Sequence, residues 1–206
     1  ALVESALSHV RLIEKFGYDA IKVSLKASDP VMVIEAYTLL SRMVDYPLHL
    51  GVTEAGTILA GSVKSSVALA VLLSRGIGDT IRVSLTGSPV EEVRVAYMIL
   101  ASLGLRERPG IEIISCPTCG RCEWSLEKTA AEIEAQTKNI KVPLKVAVMG
   151  CAVNGPGEAK HADIGVAGGK GHCLLFKKGQ VLDKIPEDKV VEVLLREIRE
   201  MTKYCH

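Results

Sequence analysis

Three cysteines, Cys116, Cys119 and Cys122, recur at every third position in the stretch SCPTCGRCEWS (115–125). Another, Cys151, stands in MGCAVNGPGEAKHADIG (149–165), directly after an apolar strand pattern and before an Asn-Gly-Pro-Gly turn. Two thiolates at C-x2-C spacing can share one zinc ion or one iron–sulfur cluster. A zinc ribbon normally adds a second C-x2-C or a histidine pair. Here the next distant thiol is the single Cys151, with Glu158 and His161 as the nearby groups able to complete a ligand set. Cys122 either extends the run into an iron–sulfur spelling or opens the helix that RCEWSLEKTAAEIE predicts over about 123–137. Six cysteines in 206 residues are too sparse for a disulfide scaffold. Their clustering favours a metal or redox site in a reducing compartment. Cys173 carries no motif and is expected to be buried in a strand.

A second set of reactive types lies in the first half. DAIKVSLK (19–26), PLHLGVTE (47–54) and DTIRVSLT (79–86) read as strands, each followed by a helical pattern. Strand then helix at a spacing of about 30 residues predicts βαβ units and a parallel sheet. Buried parallel strands are usually apolar on both faces. Here Val23 and Leu25 alternate with Lys22, Ser24 and Lys26, and Ile81, Val83 and Leu85 alternate with Arg82, Ser84 and Thr86. One face therefore packs on helices while the other is cationic. Lys26, Glu54 and Ser84 fall at the carboxyl ends of their strands, where α/β folds build active sites. Lysines and an arginine beside one carboxylate suit a multiply anionic small molecule such as a diphosphate. The bland alternative is a set of solvated strand-end charges.

The surrounding elements are punctuated clearly. Asp29-Pro30 and Ser88-Pro89 predict helix starts, and Gly17, Gly76 and Gly104 predict helix ends. After RERPG the pattern changes. The strand IEIIS (111–115) leads into the cysteines, LKVAVMG (144–150) delivers Cys151, ADIGVAGG and CLLFKKGQVLDK read as short strands, and GGKGH (168–172) reads as a hairpin turn. An amphipathic helix closes the chain. We place a domain boundary at 108/109. Hydrophobic residues make up 48% of the chain but aromatics only 4%, so the core is aliphatic. A formal charge of +1 gives no bulk attraction for nucleic acid or membrane. No apolar run approaches the roughly 20 residues of a membrane span. The chain opens without Met on a pattern that is already an amphipathic helix, which suggests a beginning inside a larger protein.

SCPTCGR (115–121) and GCAVNGPGEA (150–159), together with KVSLKASD (22–29), PLHLGVTEAG (47–56) and GIGDTIRVSL (76–85) in the same order, closely resemble the hydroxymethylbutenyl diphosphate synthase family. These are iron–sulfur enzymes of the methylerythritol phosphate route to isoprenoids. The resemblance implies an α/β fold. Residues 1–108 would be the last three βα units of a TIM-type barrel that binds substrate, and residues 109–206 a reductase-like α/β (α+β) domain. It implies a [4Fe–4S] cluster on Cys116, Cys119 and Cys151 with Glu158 as fourth ligand, and leaves Cys122 outside the pattern. It implies substrate contacts from Lys26, Glu54, Arg82, Ser84 and Asn154, with Glu54 and Glu158 catalytic. The implied reaction is a two-electron reductive ring opening and dehydration of 2-C-methyl-D-erythritol 2,4-cyclodiphosphate. Flavodoxin or ferredoxin would donate electrons, in a homodimer of the bacterial cytoplasm or plastid stroma. The family's barrel has eight strands, so the chain is expected to be a C-terminal fragment that is inactive alone. Two other readings stay open: a structural zinc module on Cys116, Cys119, Cys151 and His161 or Glu158, and a sulfite/nitrite-reductase-like electron-transfer module that would need Cys122.

Overall fold

Asp29 shows how local chemistry sets the elements. Its carboxylate accepts from the Val31 N–H at 2.8 Å and the Met32 N–H at 3.4 Å, and Pro30 opens the helix behind it. In this computed structural model, which describes residues 1–152, 157 and 159–203, the chain forms two units, Ala1–Glu107 and Arg108–His206. The first unit contains α1 (Leu2–Lys15), α2 (Pro30–Leu40), β1 (His49–Leu50), α3 (Ile58–Leu73), β2 (Thr80–Ile81) and α4 (Pro89–Ser102). Gly17, Gly76 and Gly104 follow helices at φ of 73°, 72° and 69°, the left-handed turn that the sequence predicts there.

Three segments of this unit run parallel. β1 pairs with β2 through His49↔Thr80 and Leu50↔Ile81, and Val23 bridges Leu48 on the other side. The regular ladders are much shorter than the eight-residue strands read from the sequence. Side chains take over several backbone groups. The Leu25 N–H donates to the Tyr37 hydroxyl, the Leu48 N–H to the Asp79 carboxylate, and the Leu85 N–H to Glu92. A backbone group satisfied by a side chain needs no ladder partner. The alternation survives in burial: Val23, Leu25, Val83, Leu50 and Val52 enter an aliphatic core with Val33, Tyr37 and Leu40 of α2 and Ala68, Leu69 and Leu72 of α3.

The second unit is one five-stranded sheet in the order β3-β4-β5-β6-β7, formed by Ile111–Ser115, Leu144–Met149, Ile164–Gly169, His172–Lys177 and Gln180–Pro186. β3, β4 and β5 are parallel, while β5, β6 and β7 are antiparallel. α5 (Leu126–Thr137) packs on β3 and β4, and α6 (Val190–Lys203) packs on β5 and α5. The 123–137 helix thus begins at Leu126, after Cys122 rather than on it. Residues 119–122 form a turn closed by the Cys122 N–H on the Cys119 carbonyl, and Ser125 stands at the helix N-cap. β4 is buried on both faces. Val146 and Val148 meet the helices, while Ala147 and Met149 pack with Ala162, Ala167 and Phe176 on the opposite side. GGKGH forms the β5–β6 hairpin turn, with Gly171 at φ 71°, and Cys173 is buried in β6 as the sequence suggests. Burial pushes the Cys173 thiol up to about 11, which keeps it protonated and inert. Among the described residues no helix is long and apolar enough to cross a membrane.

Candidate metal centre and anion site

In the first unit, Lys26 is half-buried at the end of its strand segment. Its ammonium donates to the His49 carbonyl at 3.1 Å. That carbonyl also accepts from the Tyr37 hydroxyl at 2.5 Å and the Ser24 hydroxyl at 3.2 Å. Tyr37 is fully buried, and by accepting from Leu25 while donating to His49 it ties the first strand segment to β1. Gly51 completes the cradle. A Cβ there would stand 2.6 Å from the Arg82 carbonyl oxygen and 3.0 Å from the Lys26 Nζ, so a side chain would displace one of them.

The electrostatics of this cradle favour an anion. Burial, then the Arg82 charge, lowers the Lys26 ammonium to about 8. Burial also lowers the His49 imidazole, with Lys26, Lys22 and Arg82 adding to the effect, while its Nδ1 lies 2.8 Å from the Thr80 hydroxyl. Cations held near one another would be relieved by a bound phosphate or diphosphate. Ser84 is half-buried and Arg82 exposed on the segment that continues β2. Glu54 is exposed at φ 52°, a left-handed conformation that costs a non-glycine residue energy and recurs at functional sites. Sequence reasoning missed Tyr37, His49 and Gly51. His49 and Gly51 follow the same period of two as the charged face, a signal that was available; Tyr37 gave none.

In the second unit, β3 ends in Ser115 and delivers Cys116. The adjacent parallel β4 ends in Met149 and delivers Gly150 and Cys151. The Gly150 N–H donates to the Cys116 sulfur at 3.1 Å. A Cβ on Gly150 would lie 3.3 Å from the sulfurs of both Cys116 and Cys122, so the missing side chain makes room for two thiols. Cys122 donates to the Trp124 carbonyl at 3.4 Å. Cys119 is exposed on the intervening loop, its thiol lowered by the Arg121 backbone N–H and, further, by the Arg121 side chain. The structure thus brings Cys116 and Cys122 onto Gly150 beside Cys151 and leaves Cys119 outside that contact. His161 is exposed. Asn154 and Glu158 lie outside the described residues. Among the described residues no group of three His, Cys, Asp or Glu side chains is already gathered for a metal ion.

The donor set nevertheless suits an iron–sulfur cluster. Thiols at the ends of neighbouring parallel strands are soft ligands, and an amide N–H aimed at one of the sulfurs is the kind of bond that stabilises cluster thiolates. Residues 1–97 match the GcpE TIM-barrel domain and residues 112–200 the GcpE protein C-terminal domain. A Geobacter sulfurreducens protein is 54% identical over 206 residues, covering all of this chain and 58% of its own length. A Desulfotalea psychrophila protein is 57% identical over 201 residues, 98% of this chain and 55% of its own. One from Caldanaerobacter subterraneus subsp. tengcongensis is 58% identical over 203 residues, 98% of this chain and 57% of its own. All three are named 4-hydroxy-3-methylbut-2-en-1-yl diphosphate synthase (flavodoxin). The chain spans little more than half the length of these curated relatives. With one domain description matched by each unit and the motif cysteines set at the ends of β3 and β4, the chain belongs to the GcpE family.

Proposed function

We propose that the chain serves the two-electron reductive ring opening and dehydration of 2-C-methyl-D-erythritol 2,4-cyclodiphosphate to 4-hydroxy-3-methylbut-2-enyl diphosphate. Residues 1–108 would supply the last three βα units of a substrate-binding (β/α)8 barrel, and residues 109–206 a reductase-like [4Fe–4S] domain. The observation that carries this is that Cys116 and Cys151 follow the ends of adjacent parallel strands, with the Gly150 N–H donating to the Cys116 sulfur. The names of the relatives support the same reading. Cys116, Cys119 and Cys151 would hold the cluster, with Glu158 as a harder, exchangeable fourth ligand. When bound, the cluster supplies electrons singly and one Lewis-acidic iron.

The chain's other residues bind and move protons. Lys26 and Arg82 hold the diphosphate by charge, and Ser84 and Asn154 orient it by hydrogen bonds. Glu54 delivers a proton to the departing hydroxyl, so that water leaves. Reduced flavodoxin is the proposed donor, with ferredoxin as the alternative, in a cytoplasmic homodimer of the full-length protein.

The test is anaerobic reconstitution of the chain with iron and sulfide, followed by metal analysis and visible spectra. A brown protein with about four irons and four sulfides is expected. Cys116→Ser should lose most of the iron, whereas Glu158→Ala should keep most of it. A colourless protein with stoichiometric zinc would establish the zinc module instead. Iron content that depends on Cys122 as strongly as on Cys116 would establish the electron-transfer module.

A further inference from the structure

C-x2-C spacing suggests that the partner of Cys116 in any thiol chemistry is Cys119. The fold selects a different thiol. The Cys122 N–H closes a turn on the Cys119 carbonyl at 2.9 Å, and this turn carries the chain back toward the end of β4. There the Cys116 sulfur, the Cys122 sulfur and the Cys122 Cβ each lie 3.3 Å from the point a Gly150 Cβ would occupy. The two sulfurs are therefore separated by no more than the sum of two such distances, with no side chain from Gly150 between them. Cys119 is exposed on the outside of the same turn. The contact occupies the volume a glycine leaves empty, and it involves a cysteine that the ligand set does not use.

We propose that Cys116 and Cys122 are a thiol–disulfide exchange site: in the metal-free chain they close an intramolecular disulfide on reaction with a small-molecule disulfide. One thiolate of the pair attacks a sulfur of the reagent RSSR and expels RS⁻, leaving a mixed disulfide. The second thiolate then attacks the protein sulfur of that mixed disulfide and expels the other RS⁻. Two cysteine thiols and one RSSR become one protein disulfide and two RSH. Two electrons pass from the cysteine sulfurs to the reagent, and the two thiol protons end on the released thiols. Closure requires the two Cβ atoms to stand about 3.5–4.5 Å apart, a separation that side-chain rotation and adjustment of the exposed 117–121 loop must supply. The consequence is a reversible block. Once oxidised, Cys116 is withdrawn from any metal until a reductant reopens the bond. The inference rests on the thiol geometry alone and holds whichever metal the site takes.

The experiment uses the full 206-residue chain freed of metal, reduced, and then treated anaerobically with oxidised glutathione. After alkylation of the remaining thiols, trypsin cleavage at Arg121 separates Cys122 from the peptide carrying Cys116 and Cys119. The expected main product is a link between those two peptides that persists in Cys119→Ser and is lost in Cys116→Ser. A second readout follows from the single tryptophan. Trp124 stands two residues beyond Cys122, and its carbonyl accepts the Cys122 thiol, so its fluorescence should fall on oxidation and recover with a dithiol, but not change in Cys122→Ser. A main link of Cys116 to Cys119, or of Cys119 to Cys151, would overturn the proposal. So would a fall in fluorescence on oxidation in Cys122→Ser as large as in the wild-type chain. Failure of the functional reading would look different: the fully reduced chain would take up no cluster although its Cys116–Cys122 link formed as described.

Discussion

Lys26 concentrates the charge argument at the scale of one residue. Its ammonium is lowered from 10.5 to about 8, first by burial and then by Arg82. The folded chain therefore releases this proton at lower pH than the unfolded chain. Between about 8 and 10.5 the unfolded state binds more protons, so the cost of burying the charge, full below 8, is relieved as pH rises. Anion binding has the opposite sense, because only the ammonium attracts phosphate. The affinity of the chain for inorganic diphosphate should be flat below pH 8 and fall by up to about tenfold per unit above it, until the pKa of the complex is reached. Titration calorimetry across pH 7–9.5 checks this, and Lys26→Arg, which stays charged, should remove the bend. Tyr37 gives a second prediction. Tyr37→Phe strands the Leu25 N–H and removes the shortest donor to the His49 carbonyl, so it should destabilise the first unit by about 1–3 kcal/mol in urea denaturation. Diphosphate affinity should fall with it, since Lys26 leans on the same carbonyl.

Elements show which features the sequence made legible and which it did not. Asp29, Ser88 and the glycines at 17, 76 and 104 act where they were read, because a cap depends on neighbours a few residues away. The alternation of Val23 and Leu25 with charged residues also survives, since a strand's two faces follow from backbone geometry. Ladder length was not legible: Tyr37 and Asp79 capture backbone groups 12 and 31 residues away. The convergence of Cys122 with Cys116 was hidden for the same reason, because it depends on the β3–β4 register and on a glycine 34 residues from Cys116. β5 shows how a glycine can be a packing residue. A Cβ on Gly168 would fall 2.0 Å from the Trp124 Nε1, and one on Gly165 2.6 Å from the Phe176 ring, so both aromatic rings lie directly on bare backbone. Gly168→Ala should push the indole off the sheet and destabilise the second unit by about 1–3 kcal/mol. A change in the emission of the sole tryptophan should accompany the loss. An unchanged spectrum would show that the sheet, not the ring, gives way.

At the scale of the whole molecule, the two units differ in how complete a sheet they present. The second unit is a five-stranded sheet with helices on one side and an alanine-rich layer with Phe176 on the other. The first unit presents only three parallel segments among the described residues, and the segment at Val23 is bridged on one side. A closed barrel needs eight strands, and an unpaired strand edge seeks a partner. Lys22 and Ser24 line an open hollow of several polar and apolar side chains along that segment, beside α1. If substrate is held in a barrel lumen, three segments supply Lys26, Arg82, Ser84 and Glu54 but not the enclosing wall that excludes water and adds further cations. We therefore expect the chain, anaerobically reconstituted, to hold its cluster and bind diphosphate weakly, yet to show no measurable turnover of the cyclodiphosphate with reduced flavodoxin. Supplying in trans the part of the Geobacter relative that the chain does not match should give some activity, because strands from that part could pair along the open edge. The assay is formation of the linear diphosphate, followed by chromatography under anaerobic conditions. Turnover by the chain alone at a rate like that of a full-length relative would mean that four strand-end side chains and the cluster suffice, and that the barrel wall contributes stability rather than catalysis.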